Sequence, residues 1–78
     1  MKIYILDSKG ISNPINIMES ESISELKEQV KEKYKMNGNI ELLYNGIILD
    51  DNSTLDELDI KDGMTINFLG QFKAGLNK

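Results

Sequence analysis

The stretch from Leu42 to Gly63, LLYNGIILDDNSTLDELDIKDG, runs straight into MTINFL and leaves the chain few ways to fold. Ile40 to Tyr44 reads as a strand, Asn45-Gly46 as a turn and Ile47-Ile48-Leu49 as a short second strand. Thr54-Leu55-Asp56-Glu57 is a capping box with room for a single helical turn before Ile60. Lys61-Asp62-Gly63 then turns the chain into a closing strand, Met64 to Leu69, with Ile66 and Phe68 on one face.

Upstream, Lys2 to Leu6 alternates as a strand, Asp7-Ser8-Lys9-Gly10 is a turn, and Ile11 to Met18 resumes the alternation through Ile15 and Ile17. Pro14 cannot donate to a ladder, which confines the second strand to a sheet edge. A second capping box, Ser22-Ile23-Ser24-Glu25, opens a helix of about three turns. Ile23, Leu26, Val30 and Tyr34 form its apolar stripe, and Lys27, Lys31, Lys33 and Lys35 alternate with Glu on what reads as a solvated face. Asn37-Gly38-Asn39 is the expected helix stop, because these residues tolerate the left-handed conformation.

Composition removes several functions. The chain of 78 residues is one small domain, and it contains no histidine and no cysteine. That takes away the commonest general base, the commonest neutral metal ligand and every thiolate. Asp50-Asp51 is read as a pair of solvated turn carboxylates, so no metal and no cofactor are expected. A net charge of −4 offers phosphates no basic footprint, which argues against nucleic acid. No apolar run is long enough to span a membrane, and Met1 to Leu6 meets Asp7 too soon to form a secretion signal. A domain without disulfides fits a cytoplasmic or nuclear setting.

Strand hairpin, helix, two short strands, one-turn helix and final strand is the element order of the β-grasp fold. Met1, Ile3, Ile5, Gly10, Ile23, Leu26-Lys27, Val30 and Lys33 fall at matching places, as do Leu42-Leu43-Tyr44, Gly46, Leu49, Asp51, Thr54-Leu55 and Ile60. On these residues the chain resembles the ubiquitin-like family from Met1 to about Phe72, with one residue deleted near Asn37 to Asn39. Its ending, Ile60 to Ile66, is closer to the ubiquitin-like domains of shuttle and adaptor proteins. The resemblance implies an α+β fold: a mixed sheet of four to five strands, one helix packed across it and a short one-turn helix. Residues 1–72 would form the domain and residues 73–78 a flexible tail. Asn13 departs from the pattern, which has an aliphatic residue there. Either Ile11 substitutes through a shifted register, or Pro14 bends the edge strand.

The resemblance also implies where partners bind. Alternation sends Leu42, Ile66 and Phe68 inward and Leu6, Leu43, Asn67 and Leu69 outward, with Gly46, Ile47 and Ile48 at the rim. In the family this outer face is the contact surface, aliphatic at its centre and basic at its border. Here Glu41 and Gln71 stand at arginine positions, and Leu6 and Ile47 stand at lysine positions, Ile47 at that of the principal chain-forming lysine. The alternative is that Ile47 or Ile48 tucks inward and Leu6 is an isolated surface residue. The family's conjugated members end in Gly-Gly, whereas this chain has Ala74-Gly75 followed by three more residues. The expectation is a non-conjugating interaction domain and not an enzyme, working with proteins that recognise ubiquitin-like folds. It would be a monomer or a weak self-associator through the apolar face. The alternative is a covalent modifier trimmed after Gly75.

Overall fold

In a computed structural model, residues 1–36 and 38–70 are described. Strands β1 (Lys2–Leu6) and β2 (Ser12–Asn16) form the N-terminal hairpin, followed by helix α1 (Ile23–Tyr34). Strands β3 (Ile40–Tyr44), β4 (Ile47–Ile48) and β5 (Thr65–Gly70) complete a five-stranded sheet in the order β2-β1-β5-β3-β4. β1 and β5 run parallel at the centre and the other neighbours are antiparallel, so the sheet is mixed. Helix α1 lies across one side of it, giving the expected α+β architecture with β2 at an edge.

The core follows from strand alternation and the helix stripe. Ile3, Ile5, Leu42 and Ile66 are fully buried beneath Ile23, Leu26 and Val30 of α1, with Leu55 closing the far end. Each such side chain contributes about 1.5 to 3 kcal/mol relative to exposure. Among the described residues no polar or charged side chain is buried.

The two capping boxes face each other. Ser22 and Thr54 form an isolated antiparallel bridge, Ile23 N donates to the Ser53 carbonyl at 2.9 Å, and Leu55 N donates to that of Glu21 at 3.0 Å. The first amides of each segment are thus satisfied by the loop that begins the other. In the second box both side-chain bonds form: Thr54 N to Glu57 Oε1 at 2.9 Å and Glu57 N to Thr54 Oγ1 at 3.1 Å. In the first box Glu25 N donates to Ser22 Oγ at 3.2 Å, and the expected return bond from Ser22 N to the Glu25 carboxylate is not made.

Three further expectations change. α1 ends at Lys35, which takes φ 55°, ahead of Asn37-Gly38-Asn39. Lys35 N reaches the Glu32 carbonyl at 3.3 Å and Met36 N that of Lys31 at 2.9 Å, the paired bonds of a Schellman motif. The partly buried Met36 packs against the core and anchors the chain beyond the cap. Residues 55–59 are turns without an assigned helix. Asp59 (φ 59°) imposes the same ending after one i to i+4 bond, Leu58 N to the Thr54 carbonyl at 3.2 Å.

The third change concerns Asn13. The β1–β2 register is regular, with Asn13 opposite Ile5 and Pro14 opposite Tyr4, and Ile11 is exposed. Neither a register shift nor a bend takes up the departure. Asn13 occupies the inward place half-buried, and its Nδ2 donates to the Tyr34 hydroxyl at 3.1 Å.

Candidate functional site

The side of the sheet that α1 leaves uncovered is assembled by strand register. Leu6 of β1 lies opposite Asn67 of β5, Asn67 opposite Leu43 of β3, and Leu43 opposite Ile48 of β4. Directly opposed residues share a face, so Leu6, Asn67, Leu43 and Ile48 form one row across four strands. At a strand spacing of about 4.8 Å this row is roughly 14 Å long. Leu69 begins the next row, opposite Glu41. A shallow depression of about 220 Å³ lies at the Leu6 end of the row, lined by Leu6, Leu43, Asn67, Phe68 and Leu69 together with Asp7 and Ser8 of the β1–β2 turn.

The rim is set by the β3–β4 hairpin. Asn45 (φ 55°) and Gly46 (φ 78°) both take left-handed backbone, which makes a two-residue turn matching the twist of its strands. That turn places Ile48 opposite Leu43 and Ile47 opposite Tyr44. Ile47 therefore stands one step out of the row, exposed at the sheet edge. Neither isoleucine tucks inward: 66% of Ile47 and 60% of Ile48 is exposed, with 52% of Leu69. Leu6 is not isolated, since it shares the depression with Leu43 and Leu69. Asn67 is exposed, and among the described residues its amide has no hydrogen-bond partner. Gln71 and the candidate terminus Gly75 lie outside the described residues.

Charge at this face is arranged by a residue that the sequence reading placed in solvent. The Lys27 side chain is only 15% exposed, and its Nζ lies 2.6 Å from Asp51 Oδ1 and 3.3 Å from Glu41 Oε1. The signal was present in the spacing: Lys27 is four residues after Ile23 and three before Val30, inside the apolar stripe. Burial works to lower the Lys27 pKa, and hydrogen bonds and charge attraction from Asp51 and Glu41 outweigh it, leaving the pKa above the ordinary lysine value. Asp51 is therefore an ion-pair partner as well as an exposed turn carboxylate. Glu41 is drawn to Lys27, which it shares with Asp51. The row that remains is aliphatic apart from Asn67.

A family model, the ubiquitin family, matches residues 2–73. No curated protein matches the chain.

Proposed function

The chain belongs to the ubiquitin family, and from that membership we propose that it is a non-conjugating interaction domain docking partners on the open face of its sheet. Domains of this family are in general not enzymes. The observation that carries the reading is the row Leu6–Asn67–Leu43–Ile48, flanked by Leu69. The residues of the row are themselves uncharged, and Glu41, opposite Leu69, is paired with Lys27. Contiguous exposed aliphatics of this kind mark interfaces in soluble proteins.

The occupant proposed is an amphipathic α-helix from a protein that recognises ubiquitin-like folds. A row of roughly 14 Å matches about nine residues of helix at 1.5 Å per residue, which is an i, i+4, i+8 set of apolar anchors. Binding would rest on aliphatic burial and would change little with salt, because exposed ion pairs contribute little and are screened. Leu43→Asp tests this directly. Titrated with a ubiquitin-recognising helix and followed by amide shifts, the native chain should show changes along β1, β3 and β5. The variant should keep its fold and lose at least about tenfold in affinity, which is ~1.4 kcal/mol. Unchanged affinity in the folded variant would sink the proposal.

The second reading, a covalent modifier, rests on Gly75, five residues beyond the end of β5. A modifier's terminal carboxylate must enter a narrow channel, which two glycines suit because they carry no side chain. A form ending at Gly75, incubated with activating enzyme and ATP, should fail to form a thioester under conditions that charge ubiquitin. Thioester formation would favour the modifier.

A further inference from the structure

Beside the end of β5, on the helix side of the sheet, Tyr34, Met36, Phe68 and Gly70 line a groove of about 200 Å³. Asp7, Ser8 and Lys9 of the β1–β2 turn form its polar wall. The Tyr34 and Phe68 rings make its apolar side, with centroids 5.1 Å apart and planes tilted by 47°. The groove is open because Gly70 has no side chain; a Cβ there would find Met36 Cε as its nearest neighbour, at 3.0 Å.

Along β5 the inward positions are Ile66 and Phe68, both buried, and then Gly70. The next position of that two-residue period is Phe72. Two residues span at most about 7 Å, so a side chain two positions beyond Gly70 is within reach of the groove. An apolar cavity of about 150 Å³ accepts a benzene molecule, so this groove has the size for a phenyl ring. We propose that the chain's own Phe72 docks in the groove between Tyr34, Met36 and Phe68, tying the C-terminal segment to the body of the domain. The groove adjoins the open-face depression at Asp7, Ser8 and Phe68, but the proposal does not rest on how that face is used.

The test uses the full 78-residue chain with methyl-labelled methionine, followed by NMR. Nuclear Overhauser cross-peaks are expected from the Phe72 ring to the Met36 ε-methyl and to the Tyr34 ring. Phe72→Ala should abolish them, move the Met36 methyl resonance and lower Tm by about 4 °C, while Gln71→Ala does neither. Gly70→Leu fills the groove from within the strand and should also remove the cross-peaks in a folded chain. A Met36 methyl unmoved by Phe72→Ala would overturn the proposal. So would cross-peaks that fade on dilution, since those would place the ring of a second copy in the groove.

Discussion

The two sides of the sheet are made by the same alternation from the same kinds of residue, and they differ in what that alternation is allowed to include. On the helix side, Ile3, Ile5, Leu42 and Ile66 are fully buried, and the row admits no charge. On the open side, Leu6, Leu43 and Leu69 are joined by Tyr4, Thr65, Asn67 and Glu41. Polar residues are tolerated where water can satisfy them, so the open side keeps an aliphatic row without being obliged to bury it. One side secures the fold, and the other is free to vary with the partner.

Leu42 and Leu43 sharpen this contrast most, because they are neighbours in β3 and point to opposite sides. Leu42→Ala opens a cavity among fully buried neighbours and should cost about 2 to 5 kcal/mol. Leu43→Ala removes a half-buried side chain with nothing packed over it and should cost under about 1 kcal/mol. Urea unfolding of both variants measures the gap. Equal losses would mean that the open face is part of the core.

Much of this contrast was legible in the sequence. Ile3/Ile5, Leu42 and Ile66/Phe68 announce their strands and their inward side by period alone, and Pro14 announces the edge. The missed features depend on contacts between distant residues. Lys35 takes a left-handed conformation that its side chain does not favour, and Asp59 takes the same conformation, as Met36 and Ile60 turn back onto the core. Asn13 is an inward polar residue with no local explanation until Tyr34, 21 positions along the chain, offers its hydroxyl. The ion pairs of Lys27 had a clue in helical spacing, but Glu41 and Asp51 reach it only once β3 is in place. At the open face, alternation selects Leu6, Leu43, Asn67 and Leu69, while register alone brings Ile48 into their row and leaves Ile47 outside it.

Lys27 is where the two sides meet, and breaking its ion pairs has the next largest expected effect. Lys27→Met keeps most of the apolar stem and removes the ammonium that holds Asp51 and Glu41. The cost near neutral pH should be about 1 to 2 kcal/mol, since both carboxylates remain largely in contact with water. The pH dependence has a definite sign. The Lys27 pKa is raised in the folded state, so its contribution is fully present below the unfolded lysine value and is lost as pH climbs through the folded one. The stability difference between native chain and variant should therefore hold from about pH 7 to 10 and shrink above about pH 10.4. Urea midpoints at neutral and strongly alkaline pH check this. A difference that persists at high pH would assign the effect to packing of the stem.

The smallest effect on stability is expected at Asn67, where the open side departs most from the helix side. Asn67→Leu joins Leu6 to Leu43 and makes the row across four strands continuously aliphatic. The site is exposed, so stability should stay within about 0.5 kcal/mol of the native value. Solubility is where the change should be felt. Adding one leucine to each of two facing surfaces contributes on the order of 1.5 kcal/mol or more, which strengthens self-association about tenfold or more. Sedimentation across a concentration series should show the native chain remaining smaller than the variant at each concentration. If instead the two sediment alike, Asn67 is not what keeps the row open for a partner. That role would then pass to the rim, where Ile47 borders the exposed Asn45-Gly46 turn.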